Sequence, residues 1–437
     1  MISTDRRRFM GGLLTGGAVT ALSGTRALAK VGTLPNFVVI YVDDLGFGDV
    51  EPTGGHVIRT PNLNRMARGG TTLTDYYAPA NLCTPSRAGL LTGRYPIRSG
   101  LAKGVILQND TRHLKPTEMT LPRALGPAYA SALIGKWHLG NIGTPAWPPT
   151  SSGFDLFYGI PYSHDMSPLS LWEADKSGAS ERQFTQATLQ QQFADRALRF
   201  IDDNRSRPFS LTLTLSAPHL PNYPPADFAG KSAAGPYGDC VEHVDAIVGQ
   251  VLGKLEALGL SRQTLVMFTS DNGPWFEGSS GGLRERKGGG GYDGASRVPF
   301  IAMQPGTVSE NVRSASIAMG IDILPTLCAR AGIPLPKGIE FDGRDISGVL
   351  MRGEASPHDH LVLFNDDQVA AIRTQDWKYV DGSYYKSFYM PLASRGYPQL
   401  YDMRSGGEDY SLAERNPDIL AKMQALFDAE KQRFKTS

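Results

Sequence analysis

At 437 residues the chain is too long for a minimal binding module, and its length suggests about two or three domains. Lys+Arg 44 against Asp+Glu 43 leaves +1, which excludes a polyanion-binding protein held by bulk positive charge. A hydrophobic share of 41%, a charged share of 20% and a mean hydropathy of -0.24 describe a globular chain and exclude a polytopic membrane protein.

The chain begins with Asp5-Arg6-Arg7-Arg8-Phe9-Met10, then a small and apolar run over 11–22, then Ala27-Leu28-Ala29. The apolar run falls short of the roughly 20 residues that span a bilayer, and Ala-x-Ala suits a signal peptidase, so 1–29 is expected to be an export signal. The paired arginines before Phe9 resemble a twin-arginine signal, which carries folded cargo and implies a periplasmic or secreted protein. Arg6, Arg7, Arg8 and Arg26 outweigh Asp5 there, so the remaining chain is slightly acidic.

From here apolar runs alternate with helical periodicity, and most of the runs end in unusual polar residues. Residues 37–42 read as a buried strand and lead into Asp43-Asp44. Leu82-Cys83-Thr84-Pro85-Ser86-Arg87 follows, with Pro85 suited to the first turn of a helix through Leu91. A second strand, 131–134, leads to Gly135-Lys136-Trp137-His138. Leu189, Phe193, Ala197, Phe200 and Ile201 share one helical face. A third strand, 209–215, leads to Ser216-Ala217-Pro218-His219, and Val241, Val244, Ile247, Val251, Leu255 and Leu258 share the next helical face. A fourth strand, 265–270, leads to Asp271-Asn272-Gly273. The glycine-rich stretch 278–294 holds Lys287, and 298–303 is a fifth strand.

Strands alternating with helices predict an α/β fold with a mostly parallel central sheet sandwiched by helices. Ligands of such sheets collect beyond the carboxyl ends of the strands, where all four polar clusters fall. After about residue 350 come short strands, 361–364 and 369–372, and a helix over 417–435. This predicts a main domain over 30–350 and a smaller α+β subdomain with an antiparallel sheet over 351–437.

Three cysteines cannot build a disulfide framework or a four-cysteine zinc site. On its own, Cys83 reads either as a small buried residue or as a thiol activated at a helix N-terminus. Cys240 and Cys328 are open to pairing or to lying apart in the core.

Leu82-Cys83-Thr84-Pro85-Ser86-Arg87-Ala88-Gly89-Leu90-Leu91-Thr92-Gly93-Arg94 resembles the type I sulfatase signature Cys-x-Pro-Ser-Arg continued by Leu-Thr-Gly-Arg. The resemblance spans nearly the whole chain beyond the export segment, and Tyr158-Gly159-Ile160-Pro161-Tyr162-Ser163-His164-Asp165 is most like the arylsulfatase A and galactosamine-6-sulfatase branch. It implies an alkaline-phosphatase-like fold and conversion of Cys83 to formylglycine (3-oxoalanine) by a formylglycine-generating enzyme. Asp43, Asp44, Asp271 and Asn272, with residue 83, are implied as the metal site. An oxygen-only set suits calcium, or magnesium less well, and the family implies calcium. Arg87, Lys136, His138, His219 and Lys287 are the implied catalytic partners, of which Lys136, His219 and Lys287, together with Ser163, would bind substrate. An alignment on Tyr-Pro would move the substrate-binding histidine to Asn222; His219 is preferred because it sits nearer the strand end. The segment Tyr292-Asp293-Gly294-Ala295-Ser296-Arg297 departs from the family's Glu-Gly-Gly-x-Arg.

The implied activity is hydrolysis of an organic sulfate monoester, aryl or carbohydrate, to an alcohol and inorganic sulfate. Expected partners are that substrate, the formylglycine-generating enzyme and the export machinery, with no nucleic acid and no membrane span in the mature form. The alternatives are a phosphonate monoester or phosphodiester hydrolase on the same fold, and a non-catalytic glycan-binding protein if Cys83 is never converted.

Overall fold

Strand Asn36–Asp43 is buried along its whole length and pairs in parallel with Thr264–Ser270 on one side and Phe209–Pro218 on the other. The computed structural model describes residues 34–385, 388–404 and 407–435, so the expected export segment 1–29 lies outside the described residues. Ala130–Lys136 and Leu156–Ile160 extend the parallel block beyond Phe209–Pro218. Antiparallel strands close both flanks: Phe300–Met303 beside Thr264–Ser270, and the ribbon Leu171–Asp175 and Gly178–Arg182 beside Leu156–Ile160. With Thr71–Leu73 and Val312–Ser314 at one edge, the sheet is 10-stranded and mixed, its centre parallel.

Alternate side chains of the central strand feed two layers, as a period of two requires. Val38, Ile40 and Val42 pack with helices Gln186–Asp203 and Gly235–Ala257 through Phe193, Ala197, Val241 and Val244. Phe37, Val39 and Tyr41 pack with helices Cys83–Thr92 and Ile323–Arg330 through Leu90, Leu91, Leu324 and Leu327. Each fully buried aliphatic side chain contributes about 1.5–3 kcal/mol, so apolar runs on both strand faces favour this sandwich. Cys240 lies in the first layer and Cys328 in the second; both are free thiols.

The fifth expected strand starts at Phe300, because Pro299 has no N–H to give a sheet ladder. Leu258 falls just past its helix, where the left-handed Gly259 (φ 69°) turns the chain away. Near the C-terminus, His360–Asn365, Gln368–Thr374, Trp377–Val380 and Gln399–Asp402 form a four-stranded antiparallel sheet. Helix Pro417–Lys435 covers it, with Phe427 edge-on to Tyr379. Its apolar face shares a core with Tyr77, Tyr292 and Met319.

Candidate active site

Strand ends place the candidate residues. Asp43 and Lys136 are the last residues of their strands, while His219 and Asp271 directly follow theirs. All four strands are parallel neighbours, so their carboxyl ends open on one edge. Asp44 (φ 64°) and His138 (φ 59°) hold left-handed backbone conformations that cost non-glycine residues energy, as residues at functional sites do.

Cys83 opens helix Cys83–Thr92, and Arg87 stands one turn further along, both buried. Arg87 Nη2 donates to Asp271 Oδ2 at 2.7 Å and lies 3.6 Å from Asp43 Oδ1, while Nη1 donates to the Lys136 carbonyl at 3.0 Å. Lys136 Nζ donates to Asp43 Oδ2 at 2.6 Å, and Lys287 Nζ donates to Asp44 at 2.7 Å. Asn272 Nδ2 donates to Asp44 Oδ1 at 2.7 Å. Three carboxylates therefore interleave with three cations. Burial raises the Asp43 carboxyl, but Lys136, His219 and Arg87 outweigh it and hold it well below the usual range. Burial, reinforced by the Asp43 charge, pushes Asp271 up to about 7 against the pull of Arg87.

His138 Nε2 donates to the Ile106 carbonyl at 2.9 Å, which leaves a buried Nδ1 lone pair without a partner. Burial and the neighbouring Lys136 charge push this imidazole well below its ordinary value, so it is neutral. Thr84 fixes it beside residue 83, because its Oγ1 donates to the His138 carbonyl (3.1 Å) and accepts from Ile106 N (3.0 Å). Thr84 was not anticipated from sequence; its adjacency to Cys83 was the available signal. The Cys83 thiol is raised by burial, which Lys136 and Lys287 only partly offset, so as a cysteine it is a poor thiolate nucleophile.

His219 Nε2 lies 3.7 Å from Asp44 Oδ2, and its ring stands 5.5 Å from that of His164. His164, another residue that sequence reasoning left without a role, is buried and donates through Nε2 to the Pro221 carbonyl at 3.0 Å, steadying the loop after His219. Ser163 is buried and its Oγ has no partner. Asn222 instead turns its Nδ2 back to the Pro218 carbonyl at 2.8 Å.

The donor set fits a hard divalent ion. Asp43 Oδ1 and Asn272 Oδ1 are buried oxygens without hydrogen-bond partners, beside the Asp44 and Asp271 carboxylates. Ligand atoms of Asp43, Asp44 and His219 also lie within 4.8 Å of one another, so a nitrogen donor borders the same space.

A dense, balanced charge cluster beyond the carboxyl ends of a helix-sandwiched parallel sheet, built beside one helix N-terminus, suits an anionic ligand. The Sulfatase family pattern matches residues 35–333. Arylsulfatase A from Homo sapiens is 34% identical over 455 aligned residues, covering 93% of this chain and 89% of that protein. Steryl-sulfatase from Mus musculus is 34% identical over 76% of this chain and 67% of its own. The crystal structure of PsFucS1 sulfatase from Pseudoalteromonas sp. matches with a TM-score of 0.85 at 27% identity, over 93% of this chain and 92% of that one. The chain belongs to the type I sulfatase family and is a sulfuric ester hydrolase.

Proposed function

We propose that the protein hydrolyses an aryl or carbohydrate sulfate monoester with formylglycine derived from Cys83 and a calcium ion. The observation that carries this reading is a buried cysteine with a raised thiol pKa, set at a helix N-terminus amid three cations and three carboxylates. A thiol so disfavoured as thiolate gains from replacement by another nucleophile. Hydrated formylglycine supplies an oxygen nucleophile and a second hydroxyl whose deprotonation frees the sulfate. Asp43, Asp44, Asp271, Asn272 and residue 83 would hold the calcium ion, which would supply positive charge to offset the sulfate and the nucleophile.

The chain's own groups divide the remaining work. Lys136, Lys287 and Arg87 offset charge on the sulfate, and the helix N-terminus favours an anion at residue 83. Asp271 takes the first proton. The bare Nδ1 of neutral His138 takes the second. His219 Nε2 or Lys287 Nζ delivers a proton to the leaving oxygen, and Ser163 Oγ binds substrate. His219 is kept for substrate because calcium prefers oxygen donors.

Residues 1–29 are read as a twin-arginine export signal. A formylglycine-generating enzyme would then convert Cys83 in the cytoplasm before folding buries it, and the enzyme would work in the periplasm or outside the cell. Residues 30–350 form the catalytic domain and 351–437 the C-terminal subdomain in this reading; helix Ser347–Arg352 crosses their junction.

Sulfate release from 4-nitrophenyl sulfate, run beside phenylphosphonate ester hydrolysis, tests the reaction class. The sulfate ester should have the higher kcat/KM, a chelator should abolish turnover, and calcium should restore it. A higher kcat/KM for the phosphonate ester would favour the alternative hydrolase.

A further inference from the structure

Exposed apolar side chains stand on the loops that build the charged floor of the site. Of the large hydrophobic side chains that lie exposed among the described residues, all but Val57, Tyr397 and Tyr410 stand on loops that carry or touch site residues. Leu107 follows Ile106, whose carbonyl holds His138, and its own carbonyl accepts from Asn141 at 2.7 Å, with exposed Ile142 next in the chain. Leu220 and Tyr223 follow His219, and the Tyr223 ring stands 6.1 Å from that of His164.

Trp275 and Phe276 come three and four residues after Asn272, their rings edge-to-face at 4.7 Å, with Phe276 73% exposed. Their turn is built into the site. Lys287 N donates to the Pro274 carbonyl at 3.1 Å, and Arg286 Nη1 donates to the carbonyls of Trp275 and Gly278. Glu277 lies in this same turn, tied to Lys287 through the Pro274 carbonyl, and one of its carboxyl oxygens is buried without a partner.

Large apolar side chains gathered on the loops of a site are a surface that a ligand can cover. A site meant for a polyanion would not place a carboxylate with a bare oxygen on one of its loops, since like charges there repel. A carboxylate oxygen does accept from a hydroxyl, and aromatic rings suit the apolar face of a ring.

We infer that the site takes a monosulfated ring alcohol with no further charge, its ring resting on the Leu220–Tyr223 and Trp275–Phe276 loops and a hydroxyl meeting Glu277. Polysulfated chains are discriminated against at the same carboxylate. This rests on the sulfatase reading above and adds the substrate class.

The test uses the full-length converted enzyme with two probes that share one scissile sulfate ester: a monosulfated neutral disaccharide, and the same disaccharide with a second sulfate on the adjoining sugar. Sulfate release is measured for wild type, Phe276→Ser and Glu277→Gln. Wild type should favour the monosulfate at least about tenfold in kcat/KM. Phe276→Ser, a change at an exposed side chain, should lower kcat/KM for the monosulfate about tenfold, carried by KM. Glu277→Gln should narrow the preference about tenfold by improving the disulfate. A wild type that prefers the disulfate, or a ratio unmoved by Glu277→Gln, overturns the inference while leaving the sulfatase reading intact. Absence of sulfate release from both disaccharides and from 4-nitrophenyl sulfate overturns that reading and this inference together.

Discussion

Arg87 spans two structural elements with one planar group, holding Asp271 with one nitrogen and the Lys136 carbonyl with another. A lysine there would keep the charge but lose the fork that serves both partners. Arg87→Lys should lower kcat/KM about 10²- to 10³-fold in a fold that still melts cooperatively. Arg87→Ala should also destabilise the protein, by about 3–5 kcal/mol, because it strands buried carboxylates; denaturant unfolding of both variants checks the pair. Arg87 was legible in sequence through the contiguous motif over 83–94, and Lys136 and His138 through a motif at the end of a readable strand. Thr84 and Glu277 were not. The significance of Thr84 lies in contacts with Ile106 and His138, and that of Glu277 in a turn tied to Lys287 through Pro274, partners distant in sequence that no local spacing encodes.

At the scale of elements, helix Gly235–Ala257 carries a buried histidine that makes a simple prediction. Burial pushes His243 down to about 4, while the unfolded chain has the ordinary value near 6.5. Between those values the unfolded state binds the extra proton, so stability is present above about pH 6.5 and is lost as pH falls toward 4. The loss from this group should reach about 2 kcal/mol by pH 5, and His243→Asn should flatten that part of the pH dependence in thermal melts recorded from pH 7 to 5. A parallel fall in the variant would remove His243 as the cause.

The same scale explains which elements could be read. Residues 37–42, 131–134, 209–215 and 265–270 are long apolar runs buried on both faces, and each forms a central parallel strand. Leu156–Ile160 carries glycine in mid-strand and passes for a loop motif; Thr71–Leu73 and Tyr76–Tyr77 are too short to show a period. Gly159 has a tertiary reason, since a Cβ there would meet the Gly135 carbonyl oxygen at 1.8 Å.

Across the whole molecule, a buried ionic cluster fastens the C-terminal sheet to the loop that carries Lys287. Lys378 Nζ lies 2.6 Å from Asp293 and 2.7 Å from Glu408, and Arg297 and Arg373 reach Asp293 and Asp75. Asp293 heads the segment that departs from the family's usual Glu-Gly-Gly, so this chain meets the departure with its own set of partners. Removing one charge leaves the others buried and unpaired. Lys378→Met should cost about 3–5 kcal/mol, lower the melting temperature by several degrees and reduce turnover through the displaced loop. An unchanged melting temperature would show that the cluster adds no stability.

Near-neutral overall charge fits the proposed reading, in which attraction for an anionic ester comes from the sheet-edge cations together with a bound divalent ion rather than from the whole surface. The proposed chemistry rests on residue 83, at the start of the helix that carries Arg87. The most direct measurement is peptide mass analysis at Cys83 on preparations made with and without a formylglycine-generating enzyme, each assayed for sulfate release. Turnover should rise in proportion to the fraction of residue 83 carrying an aldehyde in place of the thiol, and vanish where that fraction is zero. Equal turnover from fully unconverted cysteine would contradict a formylglycine mechanism outright.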